Sequence, residues 1–141
     1  MNIGPAIRTS LIAQPALVAL LGEWLNEPSI HTRRPPPEGA GYPMIMISPD
    51  VAHTDIGFLA AAKSRVLRDI IVYGDNPKHY RAVEQAGYLV REAFHRRKDS
   101  ILLAGYHTID VLAEGPVPAP TDDDSRVGRR VTIAVRIEPR T

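Results

Sequence analysis

Met44, Ile45, Met46 and Ile47 are four apolar residues in a row. A run that does not alternate predicts a strand covered on both faces. Tyr42-Pro43 stands directly before it, and proline, with no N–H for a ladder, fits only where such a strand opens. Ahead of this run, Ile3, Ile7 and Leu11 recur at helical spacing, with Pro5 suited to a first turn. Gln14-Pro15 interrupts that helix. Ala16 to Leu25 reads as a second helical piece, with Leu17, Leu20, Leu21 and Trp24 largely on one face and Gly22 near its end. This kinked arm is expected to pack on the sheet; the other reading places part of it on a neighbouring subunit. Residues 26–40 form a connector with Pro28, His31-Thr-Arg-Arg34 and three successive prolines, a composition that favours an extended path. A connector of that length reads either as a surface excursion or as part of an interface.

Beyond Ile47, Ser48-Pro49-Asp50 breaks the pattern. His53-Thr-Asp-Ile-Gly57 reads as a turn, and Phe58 to Lys63 as a hairpin tip or a short helix. Ser64 to Tyr73, mixed at first and then apolar, predicts a second strand. Gly74-Asp-Asn-Pro77 is a turn signal, with Asp75 or Asn76 able to cap a helix opened by Pro77. From Pro77 to Lys98, the residues Tyr80, Val83, Gly87, Val90 and Phe94 fall at steps of three and four, one apolar stripe widened by Ala86 and Leu89. Glycine on that stripe costs about 1 kcal/mol against alanine, so Gly87 points to a close approach of helix to sheet. His95-Arg-Arg-Lys98 places positive charge where the helix dipole favours it.

Ile101 to Leu112 predicts a third strand, with Leu103, Gly105, His107, Ile109 and Val111 on one face and Tyr106, Thr108, Asp110 and Leu112 on the other. Pro116 to Asp124 reads as a proline-rich and then acidic loop. Val127 to Arg136 has the cleanest period of two, with Val127, Arg129, Val131, Ile133 and Val135 against Arg130, Thr132, Ala134 and Arg136. The order is α-α-β-β-α-β-β, and local connections make each strand pair an antiparallel hairpin. The expected fold is α+β: a mostly antiparallel four-stranded sheet packed by a long helix, with an N-terminal kinked helix. It forms one domain over 1–141, with N-terminal helices (1–25), a proline-rich connector (26–41), and the sheet with its packing helix (42–141).

Composition narrows the function classes. The 141 residues are 44% hydrophobic, enough for a core without staples. A formal net charge of +1 gives no global pull toward nucleic acid or an anionic membrane. The chain has no cysteine, which excludes disulfides, thiol catalysis and cysteine-ligated zinc. No basic region leads into a long apolar run, and no apolar stretch approaches the roughly 20 residues that span a bilayer, so synthesis in the cytosol and no membrane contact are expected. His31, His53, His79, His95 and His107 show no metal-ligand spacing. His53 with Asp55 and His107 with Asp110 are the only local acid–histidine groupings, and they are the basis of a minor reading as a small enzyme. Asp122, Asp123 and Asp124 lack the glycine and glutamate of a calcium loop. Gly39-Ala-Gly41 precedes its strand, whereas a dinucleotide fingerprint follows one. No catalytic residue, cofactor or metal is expected, and binding or assembly is favoured over catalysis.

The stretch Pro36-Pro-Glu-Gly-Ala-Gly-Tyr-Pro-Met-Ile-Met-Ile47 resembles the Pro-x-Gly-x-x-Tyr-Pro-apolar opening strand of the tail-completion, or tail-terminator, proteins of tailed bacteriophages. Similar proteins occur in prophages and gene transfer agents. Ala16 to Gly22 resembles that family's second short N-terminal helix, and the helix from Pro77 its single packing helix. Ile101 to Leu112, the acidic turn and Arg126 to Ile137 resemble its closing hairpin. The resemblance implies a structural virion protein made in the host bacterial cytoplasm. It implies a hexameric ring of identical subunits at the head-proximal end of the tail, capping the tube, ending its polymerisation and meeting the head–tail connector. DNA would pass through the lumen without sequence-specific binding. Tyr73 stands where the family often has tryptophan, and the connector is longer than expected. These departures keep a second reading in play: a neighbouring neck or tail-tube component, a head–tail adaptor or tube subunit of similar fold. A ring needs a heterologous interface. Its candidate contacts are Arg33 and Arg34 in the connector, His53, Asp55 and Phe58 in the region after the first strand, and Asp122, Asp123 and Asp124 at the acidic tip. Arg129, Arg130 and Arg136 on the last strand are candidates to pair with acids across subunits.

Overall fold

The computed structural model describes residues 3–32, 38–48, 52–56, 63–121 and 124–140. The helices are α1 (Gly4–Ile12), α2 (Pro15–Val18) and α3 (Tyr80–Phe94). The strands are β1 (Glu23–Trp24), β2 (Glu27–Pro28), β3 (Ile30–His31), β4 (Met44–Ile47), β5 (Ala52–Ile56), β6 (Lys63–Asp75), β7 (Tyr106–Pro118) and β8 (Arg126–Pro139). The fold is α+β, but among the described residues its sheet has six strands where four are expected. Five lie in the order β3-β4-β6-β8-β7, and β5 pairs with β6 off that path. Two strands escape the sequence pattern. β3 is two residues inside the connector and runs parallel to β4. β5 covers the stretch read as a turn and runs antiparallel to the first residues of β6. Short strands carry too few residues for a period to register.

Helices cover one face of this sheet. Ile45 and Ile47 of β4, Val66, Ile70 and Val72 of β6, Val111 and Ala113 of β7, and Val131, Ile133, Val135 and Ile137 of β8 all point into the core. They meet Val83, Ala86, Val90 and Phe94 of α3, together with Ile3, Ile7, Leu11 and Leu17 of the N-terminal arm. Phe94 is 0% exposed, and truncating so deeply buried an aromatic typically costs about 3–5 kcal/mol. The stripe read for α3 holds at Val83, Gly87, Val90 and Phe94, while Tyr80 at its start stays exposed. Gly87 is a point of close approach, as its place on the stripe implies. A Cβ built there would lie 2.9 Å from the Pro116 ring on β7.

The boundaries correct the expectation in several places. The second helical piece is a single turn that ends at Val18, and Trp24 belongs to a small antiparallel hairpin of β1 and β2. That hairpin clamps the stretch before β4. The Gly22 N–H donates to the Pro43 carbonyl at 2.8 Å, and the Gly41 N–H donates to the Glu23 carbonyl at 3.0 Å. So Gly41 to Pro43 is packed against its own chain. α3 begins at Tyr80 with His79 before it, because residues 76–79 form a turn and neither Asp75 nor Asn76 caps the helix.

The third strand begins at Tyr106, not Ile101, and runs on to Pro118, so that Pro116 to Pro118, expected in the loop, belong to it. A register shift between Thr108 and Asp110 changes which residues face inward. Thr108 and Val111 are both buried, although strict alternation puts them on opposite faces. The Thr108 hydroxyl donates to the Ile101 carbonyl at 2.7 Å, which satisfies it in the core.

Candidate interface

The sheet face away from the helices is organised by cross-strand register. Reading β6, β8 and β7 across, one rung is Arg65, Arg136 and Asp110; the next is Leu67, Ala134 and Leu112. Then come Asp69, Thr132 and Glu114, followed by Ile71, Arg130 and Val117. Tyr73 with Gly128 and Asp75 with Arg126 complete the ladder. Rungs lie about 6.8 Å apart, two strand residues, so side chains of neighbouring rungs are within reach of one another. Leu112 is 44% exposed and Val117 is 42% exposed, large apolar side chains on an otherwise mixed surface.

Charges on this face are mostly paired within the chain. Arg136 holds Asp110 through both carboxylate oxygens, from Nε at 2.9 Å and from a terminal nitrogen. That hydrogen bond, with the guanidinium charge, keeps the Asp110 carboxyl below its ordinary value despite the opposing effect of burial. The same contact raises the Arg136 guanidinium. Thr132 Oγ1 donates to Asp69 at 2.6 Å. Arg126 pairs with Asp75 and lies over the Tyr42 ring, 4.2 Å from its centroid. It thereby ties the start of β8 to the end of β6 and to the segment that opens β4, a role that no sequence spacing signals.

The predicted contact residues fall into three groups. Arg129 faces the helix side, donates to Glu84 at 3.2 Å and to the Tyr80 hydroxyl at 3.1 Å, and so is satisfied within its own chain. Arg136 is likewise paired at home but remains exposed. Arg130 sits at the centre of the open face, and its Nε is buried without a hydrogen-bond partner. Asp124 is exposed at the β7–β8 turn, where its carbonyl accepts from Asn76 Nδ2 at 3.3 Å. His53 and Asp55 lie on β5, opposite Val66 and Ser64 of β6. Arg33, Arg34, Phe58, Asp122 and Asp123 lie outside the described residues.

The histidines that the sequence could not assign have structural work. His79 Nδ1 accepts the Asp75 N–H at 3.0 Å, and His95 Nδ1 accepts the Ala113 N–H at 3.1 Å. Each end of α3 is thus stapled to a strand. An accepting Nδ1 leaves the proton on Nε2, and burial, helped by the Lys78 charge, holds His79 neutral by lowering its pKa. His31 is buried, hydrogen-bonded to Ser29 Oγ at 2.8 Å and edge-on to Trp24. Burial first, and the charge of Arg8 second, push its pKa down. Asp110 is engaged by Arg136, and His107 stands exposed opposite Glu138. Among the described residues, no group of three or more histidines and carboxylates is placed to hold a metal ion.

No protein-family model matches the chain, and no curated protein matches it. Among solved structures, the chain is similar to a component of the virion of a native gene transfer agent particle, with a TM-score of 0.76 at 17% sequence identity. The likeness covers 97% of this chain and 95% of that one, so the two share a fold from end to end.

Proposed function

We propose that this chain is a structural virion protein, a non-enzymatic component of a phage-like particle. Within that class it forms a ring that caps the head-proximal end of a tail tube, ends tube polymerisation and joins the tail to the head connector. The observation that carries the reading is the shared fold with a gene transfer agent virion component over nearly the full length of both chains. The open sheet face supports it. Exposed Leu112, set between charged rungs, and exposed Val117, beside Arg130, suit a surface that is covered in an assembly. The Tyr-Pro-apolar opening strand, the single packing helix and the closing hairpin support the terminator within that class.

Native mass spectrometry and negative-stain imaging, with and without the cognate tail-tube subunits, test it. The expected result is a six-fold ring that halts tube growth when added in small amounts. A protein that co-polymerises along the tube would instead be a tube subunit. One that stays monomeric and never joins a tube would overturn the reading.

A further inference from the structure

Arg130 is the described cation on the open face whose situation its own chain leaves incomplete. Its rung neighbours are Ile71 on one side and Val117 on the other, both apolar. Its Nε is buried and meets no acceptor. Of the acids on this face, Asp69 accepts from Thr132, Asp75 holds Arg126 and Asp110 holds Arg136, while Glu114 in the next rung is exposed and forms no ion pair with Arg130. A half-buried guanidinium among apolar neighbours favours a carboxylate, because its planar donors match two oxygens and the local dielectric is lower than water's.

The chain also carries the complementary group. Asp124 is exposed at the β7–β8 turn and engages the rest of the molecule through its carbonyl, not its carboxylate. In sequence it closes the run Asp122, Asp123, Asp124. Asp124 cannot reach Arg130 of its own chain. The six intervening steps of β8 and its approach span about 20 Å, and the turn projects from the end of the sheet. Turn and face are therefore different surfaces of one subunit, and contact between them propagates head to tail, as a closed ring requires.

We propose that the open face centred on Arg130 receives the β7–β8 turn of a second copy of this chain, with the Asp124 carboxylate meeting the Arg130 guanidinium. Exposed Val117 and Leu112 supply the apolar contact around that pair. The inference rests on the assembly reading above and names the subunit face that such an assembly uses. A nucleic acid is the poorer occupant, because Asp69, Asp75, Asp110 and Glu114 share the face with the arginines and repel phosphate.

Charge exchange followed by native mass spectrometry and sedimentation tests it. Arg130→Glu is expected to weaken self-association by more than about tenfold, as is Asp124→Lys. Joining both changes in one chain is expected to restore most of the association, an outcome that mere damage to the fold does not give. Arg130→Gln, which keeps the size and removes the charge, serves alongside, with thermal unfolding as the check that each variant folds. Association unchanged by Arg130→Glu overturns the proposal, as does failure of the exchanged chain to recover when both parent variants are folded. Loss of duplex DNA binding in Arg130→Glu with association intact overturns it in favour of nucleic acid. A protein that caps tubes yet ignores Arg130→Glu sinks this interface alone; one that never caps a tube sinks the assembly reading.

Discussion

At Gly22 and Gly41 two backbones pass with no room for a side chain. A Cβ on Gly22 would lie 2.6 Å from the Gly41 carbonyl carbon, and one on Gly41 would lie 2.9 Å from the Glu23 nitrogen. Neither neighbour is a flexible side-chain tip, so relief requires moving the hairpin that clamps the start of β4. Gly22→Ala is therefore expected to destabilise by about 1–3 kcal/mol, read as a lower urea midpoint with little change in slope. Beside that hairpin, His31 gives stability a pH dependence. Its folded pKa lies below the ordinary 6.5, so below that value the unfolded chain binds more protons than the folded one. The stability that a neutral His31 allows is complete above 6.5 and falls as pH drops below it. His79 acts in the same direction. Thermal melts from pH 7.5 to pH 5 are expected to show a falling Tm, with a shallower fall in His31→Gln.

Elements show where sequence reasoning holds and where it stops. α3 is legible because fifteen helical residues present a repeated stripe, and β8 because Val131 to Ile137 alternate buried and outward without interruption. β7 is harder. Its two register shifts break the period, and Pro116 to Pro118 look like loop while lying within the strand. β1, β2 and β3 are two residues each, and tertiary contacts decide them. The candidate interface is legible only in part. An alternating basic strand marks Arg130 and Arg136 as facing away from the core, yet nothing local tells a paired arginine from an unpaired one. Asp110 and Arg136 are 26 positions apart in sequence and meet only because the Thr108–Asp110 shift sets them in one rung. That pair has its own signature. Because the Asp110 pKa is depressed in the folded chain, its contribution is present above the ordinary carboxylate value of 3.8 and is lost as pH falls through the lower folded value. Asp110→Asn is expected to lower Tm slightly at neutral pH, with the difference from the parent closing in acid. The effect is small because both partners are partly exposed.

For the whole molecule, the question is whether the open face is a solvated surface or a covered one. A solvated face tolerates a charge in place of an exposed leucine, and such changes usually alter stability by no more than about 0.5 kcal/mol. A covered face does not, because the new charge is desolvated against the neighbouring subunit without a partner. Leu112 separates the two cases. It stands 44% exposed in the rung between the Asp110–Arg136 pair and the Glu114–Thr132 rung, and its side chain points away from the core. Leu112→Glu is expected to leave the monomer's Tm within a degree or two of the parent, while the assembled species in native mass spectra declines several-fold. Raising the salt concentration separates the contributions further. Screening weakens a contact made through Arg130 and the acidic turn, but leaves the loss of apolar contact at Leu112 in place. A Leu112→Glu protein that assembles as the parent does would place the subunit contact on another surface, with the helix-covered core and the strand order unchanged.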